Sequence, residues 1–381
     1  MSQPRQARFV TIPLQGDPMT KTTRRSLLTA GAGAATGAFF VPATAPSAQA
    51  APLTPTTDAA GGRAIDTHAH VYPAKYLDLL EQIGVPASTT AIARGIGADS
   101  TDEDLSARLR WMDRANVETQ IIAVTPQVPS GPDGASSLAA ARQINDEYAG
   151  LVQRHAGRFL AYGTLPLPHV EESLAEIPRL FDDLGVVGVS LTTVLPGGLS
   201  PADRRFDPVW QALNERAAIV NIHATGSGAL SSMITEHQLE WVNGAPVEDA
   251  TSVLHILKAD IPRRFPDVRF HIAHLGGDLP FLAQRIEDNY TDWQAFPVSP
   301  LDTLRTMWFD AANFHTPSLR LTVETFGADR IMAGSDHPYF QEDKYVRAFD
   351  YIRKAPLAPD EVSAILAGNA TALYKTTSKS R

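Results

Sequence analysis

The stretch Ile65–His70 reads Ile-Asp-Thr-His-Ala-His and is the most informative segment of the 381-residue chain. Side chains two positions apart point to the same face of a β-strand, so His68 and His70 face one side together. Two imidazoles in this arrangement can bind one metal ion. Asp66 has the same phase and is expected to anchor the strand or to orient a ligand. Taken alone, the pattern also fits two unrelated histidines.

Downstream of this segment, short apolar runs alternate with helix-like stretches. The runs lack strict polar–apolar alternation, as expected of strands that are buried on both faces. The predicted strands are Ala64–His70, Thr119–Val124, Phe159–Leu165, Val186–Thr192, Ala218–His223, Val268–His274, Met307–Ala311 and Arg330–Gly334. Eight strands that alternate with helices predict an α/β fold, a (β/α)₈ TIM barrel. An open doubly wound sheet is the alternative, but no glycine-rich phosphate-binding motif follows any strand.

Polar residues end four of the predicted strands, and barrel enzymes place their active sites at these carboxyl ends. We predict one divalent ion, most simply zinc, bound by His68, His70, His223 and Asp336. Without a metal or mutual pairing, each of these buried groups would carry a desolvation penalty. His274 is then available as the general acid or base, and with Asp336 it forms the predicted catalytic pair. The alternative role for His274 is that of a further metal ligand.

Composition narrows the classes of partner and of metal site. The chain has no cysteine, so a metal must be bound by histidine and carboxylate rather than by thiolate. The net charge of -9 disfavours a nucleic-acid partner. The expected partner is a small-molecule carboxylate substrate.

The first 50 residues differ from the rest, with a net charge of +4 against -13 for residues 51–381. The pair Arg24 and Arg25 is followed by leucines and a weakly apolar stretch, and Ala48-Gln49-Ala50 has the form of a cleavage site. These features predict a twin-arginine export signal and a periplasmic or extracellular location. A disordered basic tail is the alternative.

The predicted organisation is a signal over residues 1–50, a linker over 51–62 and a barrel domain over 63–381. The apolar stretch of the signal is too short for a stable membrane span. Met19 is an alternative to Met1 as the start of the chain.

Two connections are longer than ordinary barrel loops. Residues 71–105 follow the first strand and are expected to form a lid over the barrel mouth. Residues 224–253 follow the fifth strand, and their apolar content, including Trp241, suits a subunit interface or a wall of the active site.

From about Ile65 to Tyr374 the chain resembles the amidohydrolase-related family of metal-dependent hydrolases, typified by 2-amino-3-carboxymuconate-6-semialdehyde decarboxylase. The order and spacing of several blocks carry the resemblance. They are Ile65–His70, Arg110–Asp113, Gly163–Pro166, Phe265–Val268, Ala273–Gly277 and Ile331–Pro338.

The resemblance implies the same four metal ligands and an acid–base role for His274. It also implies that an arginine 11 residues beyond that histidine, here Arg285, binds the substrate carboxylate in the neighbouring subunit of a homodimer. A second arginine from the lid has the same role, and Arg94 is the nearest candidate. From the residues alone, the favoured interpretation of Arg285 is a surface arginine paired with a carboxylate such as Asp288 or Asp292, and the resemblance reverses that preference.

Two positions depart from the family pattern in the substrate-binding region. Thr225 stands where the family has tryptophan, and Tyr339, a predicted substrate-binding residue, stands where it has phenylalanine. The implied reaction is non-oxidative decarboxylation of a small carboxylated aromatic or conjugated compound. Hydrolysis of a lactone or amide at the same site is the second hypothesis, and a non-catalytic binding protein is the third.

Overall fold

Eight parallel strands follow one another around a barrel in the order of the sequence. The computed structural model describes residues 62–378. The strands are β1 (Ala64–His70), β2 (Val117–Ala123), β3 (Phe159–Gly163), β4 (Gly188–Thr192), β5 (Ile219–His223), β6 (Arg269–Ile272), β7 (Trp308–Asp310) and β8 (Ile331–Met332). The barrel closes where the Thr67 amide donates to the Ala333 carbonyl at 2.9 Å and the His70 amide to the His337 carbonyl at 2.7 Å. The predicted TIM barrel is confirmed.

Helices connect successive strands and cover the outside of the barrel. The α-helices are α1 (Ala74–Gln82), α2 (Ala87–Thr90), α3 (Asp102–Arg114), α4 (Gly134–Arg154), α5 (Val170–Pro178), α6 (Asp207–Asn214), α7 (Ser232–Thr235), α8 (Ala245–Lys258), α9 (Ile261–Arg264), α10 (Leu279–Trp293), α11 (Pro300–Leu304), α12 (Thr316–Phe326), α13 (Asp343–Arg353), α14 (Pro359–Ser363) and α15 (Asn369–Ser378). Short 3₁₀ turns are Ala91–Ala93, Arg204–Phe206, Gly228–Leu230, His274–Gly276 and Ala328–Arg330, and π turns are Arg179–Leu184, Glu240–Gly244 and Ala364–Gly368. Within residues 62–378, no helix is long and apolar enough to cross a membrane.

The predicted strands agree with the observed ones to within two residues at each end. The informative difference lies in β6, which ends at Ile272 rather than at His274. The backbone of His274 has a φ of 53°, in the left-handed region, and begins a 3₁₀ turn, so it has left the ladder. Asp336 also has a positive φ, of 55°, beyond the short β8. Both site residues therefore project from turns just past the strands.

The barrel is closed at its amino-terminal end by the last helix. Leu373 and Tyr374 of α15 are buried and pack in one cluster with Ile121, Ile219 and Met332 from the barrel strands. This apolar plug leaves the carboxyl end of the barrel as the open face.

The two long connections both reach that open face. The segment 71–105 contains α1 and α2, and its Ile92 lines the pocket described below. The segment 224–253 places Trp241 in the wall of the same pocket, which favours the interpretation as an active-site wall. Residues 1–61, with the predicted signal and almost all of the linker, lie outside the described residues.

Candidate metal centre and active site

The four predicted metal ligands meet at the carboxyl end of the barrel. One ligand atom from each of His68, His70, His223 and Asp336 lies within 4.8 Å of the others. β1 supplies two of the histidines and β5 the third, and the carboxylate follows β8. The three histidines are buried and Asp336 is half-buried. The structure therefore forms the metal-binding site that the strand ends predict.

Hydrogen bonds fix which ring nitrogens face this site. His68 Nδ1 lies 2.9 Å from Asp310 Oδ2, and His223 Nδ1 lies 2.7 Å from the Ala224 carbonyl oxygen. Carboxylate and carbonyl oxygens only accept, so Nδ1 is the donor in both rings. The two Nε2 atoms then face each other at 3.1 Å with their lone pairs directed into the site. A cation bound there relieves that opposition, and three imidazoles with one carboxylate suit a borderline divalent ion.

Burial and neighbouring charges shift the pKa values of the site residues in different directions. Burial lowers the pKa of His68, but the carboxylates of Asp310 and Asp336 together outweigh burial, so the net direction is upward. For His70 and His223 burial dominates and lowers the pKa, which favours the neutral, metal-binding ring. Burial raises the pKa of Asp336, but the neighbouring His274, His70 and His68 outweigh burial and hold that pKa below its usual value, so the carboxylate is ionised.

The backbone around the ligands is held by Asp66, as the phase of β1 predicts. This fully buried carboxylate accepts hydrogen bonds from the Ser335 amide at 3.0 Å and the Ser335 hydroxyl at 2.6 Å. It also accepts from Gln120 Nε2 at 2.8 Å. Gln120 in turn accepts from Arg108, whose guanidinium donates to the His70 carbonyl. This buried network therefore holds the backbone of His70, through its carbonyl, and of Ser335, the residue before Asp336.

His274 stands beside the ligand group and has a partner of its own. Its Nδ1 lies 2.7 Å from Asp249 Oδ2, and its Nε2 lies 3.8 Å from Asp336 Oδ2. Burial raises the pKa of Asp249 to about 6. Burial lowers the pKa of His274, but Asp249 and Asp336 outweigh it and raise that pKa well above its usual value. Because Asp249 occupies Nδ1, the second ring nitrogen is the one directed toward the site, as an acid–base role requires.

A cavity of ≈ 530 Å³ opens in front of these groups. His223, His274 and Asp336 form its floor. Its sides are mainly aromatic and apolar, lined by Ile92, Trp241, Ala245, Pro246, Ala312, Phe314, Tyr339 and Phe340 together with Asn313. Trp241 and Tyr339 are stacked, with ring centroids 6.4 Å apart and planes inclined by 16°. The cavity therefore suits a flat ligand whose ring contacts the apolar sides and whose polar group faces the floor.

Trp241 occupies this wall because of a glycine on the loop after β5. A Cβ atom on Gly226 would lie 2.3 Å from Trp241 Cζ2, so only glycine allows the indole to approach this backbone. The neighbouring Thr225 turns away, and its amide and hydroxyl donate to Glu248 Oε1 at 2.6 and 2.5 Å. At position 225, where the family pattern has tryptophan, this chain has threonine. Trp241, from later in the same connection, lies in the cavity wall.

The two predicted carboxylate-binding arginines are absent from the cavity lining formed by the described residues. Arg94 is half-buried and paired with Asp78 at 2.9 Å and with Glu81 at 2.7 Å. Arg285 is exposed on α10, and no ion pair joins it to Asp288 or Asp292 within the described chain. Their roles stay predictions, whereas Tyr339 lies in the lining.

Two site residues have no place in the sequence-based prediction, namely Asp310 and Asp249. Asp310 is the last residue of β7, so the same strand-end rule that selects His223 would have selected it. Asp249 lies within α8, and no positional rule singles out a carboxylate there. Both are fully buried and each is bonded to a site histidine.

Known proteins similar to this chain include two decarboxylases and a solved decarboxylase structure. The chain is 24% identical over 298 residues to 2-amino-3-carboxymuconate-6-semialdehyde decarboxylase of Dictyostelium discoideum, with 72% of this chain and 81% of that protein covered. It is 26% identical over 286 residues to gamma-resorcylate decarboxylase of a Rhizobium species, with 70% and 86% covered. A solved structure of 5-carboxyvanillate decarboxylase from Novosphingobium aromaticivorans, with manganese and 4-hydroxy-3-methoxy-5-nitrobenzoic acid, matches with a TM-score of 0.72 and 21% identity, covering 83% of this chain and 96% of that one. The amidohydrolase family model matches residues 65–376, and the chain therefore belongs to the amidohydrolase family.

Proposed function

We propose that the protein is a metal-dependent, non-oxidative decarboxylase of a small carboxylated aromatic or conjugated compound. The observation that carries the proposal is the placement of His274, with its own carboxylate partner, beside the metal ligands in the floor of an aromatic-lined cavity. The relatives named above act on compounds of this class and are similar over more than two thirds of both chains.

In such a reaction, different residues of this chain have different roles. A divalent ion, when bound, supplies Lewis-acid stabilisation of a carboxylate or phenolic oxygen of the substrate. Trp241 and Tyr339 hold the ring of the substrate through apolar contact. His274 transfers a proton from Nε2 to the ring carbon that bears the carboxylate. The bond to the carboxylate then breaks, its electron pair returns to the ring, carbon dioxide leaves, and His274 regains a proton from water.

The direct test is incubation of the purified, metal-loaded protein with 2,6-dihydroxybenzoate, 5-carboxyvanillate and related hydroxybenzoates while released carbon dioxide is measured. Release that depends on metal and on His274 supports the proposal. Absence of release from every member of the panel, together with turnover of lactones, overturns it.

Hydrolysis of a lactone or amide remains the second candidate because of one observation. The cavity lining formed by the described residues contains no arginine or lysine to pair with a free carboxylate. A neutral ester or amide would need no such cation. In that reaction His274 would deprotonate a water molecule and then protonate the leaving group. A lactone panel assayed beside the hydroxybenzoates separates the two candidates.

Zinc is the proposed resident metal, on the strength of three imidazole donors and one carboxylate. The solved structure described above contains manganese, so the experiment must compare both ions. Elemental analysis of protein purified without added metal should find about one zinc per chain. Manganese at that level, with zinc near background, would contradict this assignment.

A homodimer is the proposed assembly, with Arg285 entering the cavity of the partner subunit. It is supported by the exposure of α10, where Phe281 is 78% and Trp293 is 75% exposed, beside the exposed Arg285. Light scattering should give twice the mass of one chain, and Arg285→Ala should raise KM more than it lowers kcat. A monomer at assay concentration would exclude the role.

Export by the twin-arginine route is the proposed fate of the chain, since Arg24 and Arg25 precede the apolar stretch and cleavage site. Replacement of both arginines by lysine should retain the protein in the cytoplasmic fraction. Unchanged export of that variant would contradict the proposal.

A further inference from the structure

Asp310, the last residue of β7, lies beneath the metal-ligand group and is completely buried. Its Oδ2 atom is 2.9 Å from His68 Nδ1 and 3.2 Å from His271 Nε2. Its Oδ1 atom accepts from the backbone amides of His274 at 3.1 Å and Ala312 at 3.2 Å. One carboxylate thus contacts a metal ligand, a buried histidine and the backbone of the proposed proton carrier.

The hydrogen bonds of His271 define its tautomer. Asn221 Nδ2 lies 3.2 Å from the His271 carbonyl oxygen and 3.4 Å from His271 Nδ1, while Asn221 Oδ1 accepts from Ser190. The amide nitrogen is therefore the donor on this side, and Tyr162 adds a hydroxyl 2.9 Å from the same Nδ1. With Nδ1 accepting, a neutral His271 carries its proton on Nε2, which lies 3.2 Å from Asp310 Oδ2 but forms no hydrogen bond with it in the described structure.

Three N–H groups donate hydrogen bonds to Asp310. They are the imidazole Nδ1–H of His68 and the backbone amides of His274 and Ala312, so both carboxylate oxygens act as acceptors. Each oxygen of this buried carboxylate is therefore held by a donor at a fixed position, Oδ2 by His68 and Oδ1 by the backbone of the turn.

We infer that Asp310 is the positioning residue of the metal centre. It fixes His68 with the proton on Nδ1, so that Nε2 is free for the metal. It also fixes the turn that carries His274, whose φ of 53° is unfavourable for a residue with a Cβ atom. Ligand and proton carrier are therefore tied to one buried carboxylate, which sets their separation.

The inference goes beyond the proposed reaction, and its test needs no substrate. Asp310→Asn keeps the size of the side chain but replaces one acceptor oxygen by an amide that must face an N–H donor. Loss of such a partner beneath a metal ligand typically costs about 10- to 100-fold in metal affinity. The zinc dissociation constant of metal-free protein is measured by competition with a chromogenic chelator, and thermal unfolding is measured in EDTA. Asp183→Asn, at an exposed carboxylate in the turn Arg179–Leu184, is the matched control.

We expect Asp310→Asn to weaken zinc binding by about 10- to 100-fold while the control stays within twofold of wild type. Zinc affinity within twofold of wild type, with a lower midpoint of unfolding in EDTA, would make Asp310 purely structural and overturn the inference. Wild-type protein labelled with ¹⁵N at histidine gives a second measurement that needs no folded variant. The zinc-bound spectrum should show His68 with its proton on Nδ1, and a proton on Nε2 overturns the inference.

Discussion

At the inner wall of the cavity each polar group is held by a second polar group, whereas the outer wall is made of rings in apolar contact. The inner wall comprises the three residues of the cavity floor, His223, His274 and Asp336, together with the two buried metal ligands of β1, His68 and His70. The outer wall comprises Ile92, Trp241, Phe314, Tyr339 and Phe340. Asp310 and Asp249 lie behind the inner wall, each bonded to a histidine of the site. Behind the outer wall the polar contact of Tyr339 is one hydrogen bond to Tyr72, at 3.3 Å.

We infer from this difference that the inner wall carries out the reaction and that the outer wall selects the substrate. Directional bonds in a buried setting allow few alternative positions, because each displaced group would lose a partner that water cannot replace. Apolar contact depends on area and tolerates rearrangement at smaller cost. We therefore expect changes in the inner wall to abolish turnover for every substrate, and changes in the outer wall to alter which substrate is turned over.

The largest effect should follow removal of the carboxylate ligand. Asp336→Ala leaves three histidines and no anion in the ligand group, and loss of several kcal/mol of metal-dependent stabilisation lowers kcat by about 10³-fold or more. Metal content and carbon dioxide release should fall together. Asp183→Ala, at an exposed carboxylate outside α10 and outside the cavity lining, is the matched control. Full turnover by a metal-free Asp336→Ala protein would remove the metal from the mechanism.

The next effect should follow loss of the proton carrier alone. His274→Gln keeps a polar side chain but cannot exchange a proton, so kcat should fall by about 10²- to 10⁴-fold. Metal content should stay near that of wild type, because His274 is outside the group of four ligands. His315→Gln, at an exposed histidine bonded to Ser318, controls for the substitution itself. Loss of the metal from His274→Gln would instead make His274 a ligand.

The inner wall was largely predictable from sequence because strand ends carry positional information. A buried parallel strand has a recognisable composition, and a polar residue at its carboxyl end must face the barrel mouth. That rule gives His223 directly and would have given Asp310. It gives His274 with a small error, since the chain leaves β6 at Ile272 and turns before the histidine.

The partners and the outer wall were less predictable because they depend on how separate segments pack. Asp249 lies on a helix and meets His274 only through the docking of α8 against the turn that follows β6. Trp241 lies 18 residues beyond the metal ligand His223, within a connection of short helical turns. Neither position follows from strand periodicity, so their roles appear only in the folded chain.

A smaller and more selective effect is expected at the outer wall. Gly226→Ala places a methyl group 2.3 Å from Trp241 Cζ2, so the indole must leave the cavity wall. KM for hydroxybenzoates should rise by about 10-fold, as for loss of about 1.4 kcal/mol of ring contact, while metal content is unchanged.

Gly157→Ala is the matched control, because Gly157 has a φ of +80° against +79° for Gly226 and nothing within 4 Å of the added atom. Both variants should lose about 1–2 kcal/mol of stability from the left-handed backbone. An equal KM for the two variants would separate Trp241 from substrate binding.

The smallest effect is expected at Arg94, whose ion pairs with Asp78 and Glu81 lie on the lid rather than in the cavity lining. The side chains of Arg94 and Glu81 are each 35% exposed, so water screens their attraction and Arg94→Met should cost less than about 1 kcal/mol of unfolding free energy. Chemical denaturation measures this cost, and Arg320→Met, which removes the exposed pair with Glu324, is the matched control. KM measured on the same proteins then decides the role of the arginine. To bind a substrate carboxylate, Arg94 must exchange one of its pairs for the substrate, and its loss would raise KM selectively. An unchanged KM would confine Arg94 to the lid and leave the carboxylate to the inner wall and to the partner subunit.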